Sequence, residues 1–148
     1  MFLLISANIR KNIAYIILYR NFARRNKQNR EMKKILVAED TESNFLLLSI
    51  ILRRDYEILR AYNGEEAVEI CRVDQPDLIL MDIKMPVMDG LEATKNIRTF
   101  NKDIVIVALT ANAYDSDREK AYLAGCNNYM AKPVMANKLR EMIHSYLG

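Results

Sequence analysis

The chain has 148 residues, 51% hydrophobic and 28% charged, enough for one domain with a buried core, which excludes a disordered or fibrous protein. Its net charge of +3 is unevenly spread: residues 1–31 carry seven Lys or Arg (Arg10, Lys11, Arg20, Arg24, Arg25, Lys27, Arg30) against Glu31, so residues 32–148 are net −3. A mildly acidic body argues against direct nucleic-acid binding.

The leader, residues 1–31, has two apolar runs, Phe2–Ile5 and Ile13–Tyr19, split by Arg10 and Lys11. Neither approaches the roughly 20 residues that cross a bilayer, and no small-residue cleavage site follows an apolar core as in an export signal. Three readings stay open: a basic amphipathic helix on an anionic membrane surface, an oligomerisation helix, and an over-extended start with Met32 as the natural first residue. Membrane contact is expected only if the leader is native. Residues 32–148 are read as the folded domain.

From Lys34 onward, short β-branched runs alternate with longer amphipathic stretches, the pattern of repeated βα units around a parallel sheet. The predicted strands are Ile35–Ala38, Tyr56–Ala61, Leu78–Met81, Ile104–Leu109 and Asn128–Met130. The first, third and fourth are continuous enough to be buried on both faces, and the second and fifth read as edges. Helices are expected over 43–54, 65–73, 91–98, 113–124 and 135–147. Asn63-Gly64 opens the second helix, Pro76 breaks the chain before the third strand, and Gly125 caps the fourth helix. Cys71 and Cys126 have no Cys or His at metal spacing and read as free thiols of a reducing cytoplasm. His144, the only histidine, reads as a surface residue.

In doubly wound sheets the ligand site forms beyond the carboxyl ends of the strands. There the sequence places Glu39 and Asp40 after the first strand, Asp82 after the third, Thr110 after the fourth, and Lys132-Pro133 after the fifth. Alone, an Asp or Thr at a strand end is more often a helix cap, and a single Lys is a surface residue. Together, three carboxylates at one edge call for a cation. Hard oxygen ligands suit Mg²⁺, which keeps several waters and accepts a substrate phosphate. Asp82 could then attack phosphorus as a carboxylate nucleophile, with Lys132 offsetting charge on the phosphoryl oxygens and Thr110 donating a hydrogen bond to one of them.

The string Ile35-Leu36-Val37-Ala38-Glu39-Asp40, the segment from Pro76 to Gly90 around Met81-Asp82-Ile83-Lys84-Met85-Pro86, the run Ala108-Leu109-Thr110-Ala111, and Tyr129-Met130-Ala131-Lys132-Pro133 closely resemble response-regulator receiver domains of bacterial two-component systems. The resemblance covers residues 33–147 in order. It implies a flavodoxin-like α/β fold, a doubly wound five-stranded parallel sheet of order 2-1-3-4-5 with five helices. It implies Asp82 as phosphoacceptor, Mg²⁺ held by Glu39, Asp40, Asp82 and the backbone carbonyl of Lys84, Thr110 and Tyr129 as a switch pair, Lys132 on the phosphoryl group, and a cis Lys132-Pro133 bond. Many members have Asp where this chain has Glu39, so a longer arm meets the metal or its waters. Lys84 and Asn112, two residues beyond Asp82 and Thr110, stand where side chains can screen or position the hydrolytic water; Lys84 is expected to pair with the phosphoryl group and slow its loss.

The function implied is phosphorelay signalling: transfer from a phosphohistidine of a histidine kinase or histidine phosphotransfer protein to Asp82, slow hydrolysis, and a surface change read by a downstream protein partner, with a phosphorylation-linked dimer left open. A detached receiver of a hybrid sensor histidine kinase is the alternative, followed by a receiver-like module that binds without phosphorylation. A haloacid-dehalogenase-like phosphatase is disfavoured, because those enzymes place a second Asp two residues beyond the nucleophile on the first strand, whereas Glu39 and Asp40 are adjacent.

Overall fold

Three runs of apolar residues form the centre of the folded unit. In the computed structural model, which describes residues 31–112 and 114–148 together with Leu18, these runs are β1 (Lys34–Ala38), β3 (Leu78–Asp82) and β4 (Val105–Thr110), with β2 (Glu57–Ala61) and β5 (Asn128–Ala131) at the edges. All pairings are parallel, in the order β2-β1-β3-β4-β5. The central strands are almost wholly buried and the edges only partly, because a central parallel strand has helices over both faces. The helices are α1 (Glu42–Leu52), α2 (Gly64–Asp74), α3 (Gly90–Phe100), α4 (Asp115–Ala124) and α5 (Ala136–Leu147). This unit spans Lys33–Gly148. The predicted leader runs lie outside the described residues apart from Leu18, as does the expected start of the fourth helix at residue 113.

Alternation along the strands divides the core into two layers. Leu36, Ala38, Ile79, Met81, Ile106 and Ala108 face α2, α3 and α4, where they meet Ala67, Cys71, Ala93, Ile97 and Ala121. Ile35, Val37, Leu78, Leu80, Val107 and Leu109 face α1 and α5, against Leu48, Ile51, Leu52, Leu139 and Ile143. Each fully buried Leu or Ile contributes about 1.5–3 kcal/mol of transfer free energy.

Local signals set the helix ends. Asn63 accepts from the Glu66 N–H at 2.8 Å while the Glu66 carboxylate accepts from the Tyr62 N–H, also at 2.8 Å, a reciprocal arrangement close to a capping box. Asp89 caps α3 through the Glu92 N–H. Gly125 ends α4 at φ 110°, in the left-handed region that a glycine enters without steric cost. The structure shifts some predicted boundaries. α1 ends at Leu52, two residues early, and β3 and β4 run one residue further, so Asp82 and Thr110 are the last residues of their strands.

Candidate functional site

Strand register brings the chemistry to one edge. Asp82 pairs with Leu109, Thr110 with Ala131, and Ala38 with both Ala61 and Met81; the residues ending or following β1, β3, β4 and β5 are therefore neighbours. Glu39, Asp40 and Asp82 each offer a carboxylate oxygen, and these atoms lie within 4.8 Å of one another. Glu39 is completely buried and Asp82 nearly so, while Asp40 is exposed. Among the described residues one cation enters the group: Lys132 Nζ lies 2.7 Å from Glu39 Oε2 and 3.3 Å from Asp82 Oδ1. Glu39 Oε1 accepts from the Thr41 N–H at 3.2 Å, with Asn44 Nδ2 at 3.5 Å.

Burial, and then the charge of Glu39, push the Asp82 carboxyl up to about 6, although Lys132 and the Lys84 N–H, 3.4 Å from Oδ1, pull the other way. Burial pulls Lys132 down, but its hydrogen bond to Glu39 and the charges of Asp82 and Glu39 outweigh this and hold it above its ordinary value. Lys132 therefore remains an ammonium ion. The Lys132–Pro133 bond is cis.

Gly90, the first residue of α3, sets how closely that helix approaches Asp82. A β-carbon there would stand 2.1 Å from the Asp82 carbonyl oxygen and 2.9 Å from Met81 Cγ, so no other residue fits without displacing β3. The Gly90 N–H donates to Ile83 O at 2.9 Å, and Thr94 Oγ1 donates to Gly90 O at 2.8 Å.

The predicted switch residues are engaged elsewhere than Asp82. Thr110, 5% exposed, donates its hydroxyl to Asn112 O at 3.0 Å and accepts from the Asn112 N–H at 3.1 Å. Tyr129 is half-buried on β5, its ring edge-on to Tyr122 at 6.5 Å, with the Arg118 guanidinium 5.4 Å from its centroid. Asn112 thus meets Thr110 through its backbone. The Lys84 side chain is exposed and makes no ion pair among the described residues. Cys71 and Cys126 are free and buried, and His144 is exposed. The spacing of the motifs revealed the acidic set and Lys132. It did not reveal Gly90's proximity to the Asp82 carbonyl or Asn44's to Glu39, since neither follows from periodicity.

A doubly wound sheet with a partly neutralised carboxylate cluster, a lysine and a hydroxyl at its carboxyl edge defines the class of phosphoryl-accepting signalling domains. Residues 35–144 match the family model of the response regulator receiver domain, and the chain belongs to that family. It is 40% identical over 119 residues to the polar-differentiation response regulator DivK of Brucella anthropi, an alignment covering 78% of this chain and 97% of that protein. Among solved structures it is similar to the receiver domain of sensor histidine kinase PA1611 from Pseudomonas aeruginosa, described with magnesium coordinated in the active site cleft. That likeness has a TM-score of 0.73 and 36% identity, covering 77% of this chain and 96% of the other. It is also similar to a chain in the co-crystal structure of the Saccharomyces cerevisiae histidine phosphotransfer protein Ypd1 with the receiver domain of Ssk1. There the TM-score is 0.73 and the identity 37%, covering 77% of this chain and 88% of that one.

Proposed function

We propose that this receiver accepts a phosphoryl group on Asp82 from a phosphohistidine of a histidine kinase or histidine phosphotransfer protein, and that the new charge is read by Thr110, Lys132 and Tyr129. A carboxylate of Asp82 attacks phosphorus, the phosphorus–nitrogen bond breaks, and the imidazole leaves with the electron pair and takes up a proton. The observation that carries this reading is the placement of Asp82: nearly buried, at the end of the central strand, between Lys132 and two other carboxylates.

The donor set fits Mg²⁺, being three hard oxygen ligands, two of them buried, with one ammonium ion to offset them. Glu39, Asp40, Asp82 and the Lys84 carbonyl would hold the ion. When bound, it supplies positive charge that lets the carboxylates and the phosphoryl oxygens share one site. Lys132 already spans Glu39 and Asp82, so it is in place to follow the phosphoryl oxygens. Thr110 must release the Asn112 carbonyl before its hydroxyl can turn to the phosphoryl group, at a cost of about 1 kcal/mol that a charged acceptor repays. Movement of Thr110 then gives Tyr129 room to leave Arg118 and Tyr122, remodelling the surface between α4 and β5 that a downstream protein partner reads.

Among the described residues, no helix is long and apolar enough to cross a membrane. The proposed compartment is the cytoplasm, in keeping with two free thiols. The test is incubation with Mg²⁺ and a small acyl-phosphate donor, read by intact mass. Gain of one phosphoryl group in wild type and none in Asp82→Asn supports the reading, and failure of wild type with small donors and with any phosphohistidine partner overturns it.

A further inference from the structure

Arg60 is the one charged residue on β2 whose side chain lies among apolar neighbours. Alternation sets Ile58 and Arg60 on the face covered by α1, and Leu59 and Ala61 on the other. The Arg60 side chain is 12% exposed. Its guanidinium carbon lies over two rings, 4.2 Å from the centroid of Phe45 on α1 and 4.1 Å from that of Tyr62. Nη1 donates to Glu42, the first residue of α1, while Nε and Nη2 are buried without an acceptor among the described residues. Burying two unsatisfied donors is costly, and the two ring contacts and the bond to Glu42 offset that cost.

The backbone next to Arg60 leads straight to the acidic pair. The Glu39 N–H donates to the carbonyl of Ala61 at 3.0 Å, and the Phe45 N–H donates to the carbonyl of Thr41 at 3.0 Å. Thr41 in turn gives its own N–H to Glu39 Oε1. Residues 39–45 are therefore held to β2 twice, by the ladder bond beside Arg60 and by the grip of Arg60 on Glu42 and Phe45. The Thr41 side chain makes no capping bond, so this grip adds to the bonds of Thr41 and Asn44 to Glu39 in holding the first turn of α1.

We propose that Arg60 is a positioning residue for Glu39 and Asp40, fixing the first turn of α1 and, through it, the carboxylates that would hold Mg²⁺. The inference rests on the proposed metal site. Its sign separates it from simple electrostatics. A cation near an acidic site weakens Mg²⁺ binding, so if Arg60 acted only through its charge, removing it would tighten binding. If it acts by position, removal loosens binding, and Arg60→Lys does not rescue, because a compact ammonium ion cannot meet both rings and Glu42 at once as the guanidinium does.

The test is calorimetric titration of the full chain with Mg²⁺ alone, for wild type, Arg60→Met, Arg60→Lys and Phe45→Leu, with unfolding curves to establish that each is folded. Phe45→Leu keeps the charge and removes one stacking face, so it decides the matter if Arg60→Met does not fold. The expected result is about tenfold weaker Mg²⁺ binding in both Arg60 variants, the range seen when a ligand-orienting partner is lost, with a smaller loss in the same direction for Phe45→Leu. Hydrogen exchange at the Phe45 amide should speed up in all three. Unchanged or tighter binding in Arg60→Lys and Phe45→Leu overturns the proposal. A wild type that binds no Mg²⁺ overturns the metal site itself, a failure distinct from a wild type that binds and variants that bind equally well.

Discussion

Removing one negative charge from the cluster should stabilise the metal-free protein, by an amount that depends on pH in a defined direction. The carboxyl of Asp82 is raised from 3.8 to about 6 in the fold, so its neutral form is favoured there. The associated stability is fully present below the unfolded value, near pH 4, and is lost as pH rises through about 6. At ~1.4 kcal/mol per pKa unit, and with Asp82 only 5% exposed, the loss is at most ~3 kcal/mol. Lys132, held above its ordinary value, stays charged across this window. The assay is urea unfolding with a chelator present, for wild type and Asp82→Asn, at intervals from pH 4 to 8. The difference between the two should open progressively from pH 4 and level off above about 7, with Asp82→Asn more stable by 1–3 kcal/mol. Mg²⁺ at ten times its dissociation constant should then return ~1.4 kcal/mol to wild type. Parallel curves, or a gap that widens toward acid, would refute the view that Asp82 is strained by burial and by Glu39.

Other perturbations follow from the same geometry. Lys132→Met leaves Glu39 completely buried without its cation, and should cost ~3 kcal/mol at pH 7.5 in denaturant unfolding; a change below ~0.5 kcal/mol would mean that the ion pair is idle. Gly90→Ala forces a β-carbon onto the Asp82 carbonyl oxygen, and should lower stability by about 1–3 kcal/mol and slow phosphorylation, read by unfolding and by intact-mass time courses. Thr110→Val removes the hydroxyl now bound to Asn112, at about 1 kcal/mol. It should still permit phosphorylation of Asp82 while abolishing the accompanying change in tyrosine fluorescence; a full fluorescence change would exclude Thr110 from the switch. Lys84→Ala should shorten the lifetime of the phosphorylated form, and an unchanged decay rate would remove Lys84 from that role.

The βα alternation was legible because β1, β3 and β4 are unbroken apolar runs, whose burial on both faces is the condition for a parallel sheet. Strand order came from the family resemblance, since periodicity says nothing about which strands are neighbours. Glu39, Asp40, Asp82, Thr110 and Lys132 were legible because each ends or follows a strand. Arg60 was not, because a basic residue on an edge strand reads as solvated until α1 is seen to cover it. Nor could the helix ends be set closely: α1 is apolar on its buried side, Leu48, Ile51 and Leu52, and on its exposed side, Leu46, Leu47 and Ile50, so no stripe marks where it stops. The bond between Thr110 and the Asn112 backbone depends on a turn geometry that side-chain chemistry does not encode.

The most direct test of the central claim is to find which residue carries the phosphoryl group. The chain is phosphorylated by a small acyl-phosphate donor with Mg²⁺, the acyl phosphate is reduced with borohydride to mark its carbon, and the digest is read by fragment mass spectrometry. The mark is predicted at Asp82 alone, absent without Mg²⁺ and absent in Asp82→Asn. A mark on Asp40 or Glu39 in the wild type, or an equal yield in Asp82→Asn, would contradict the account.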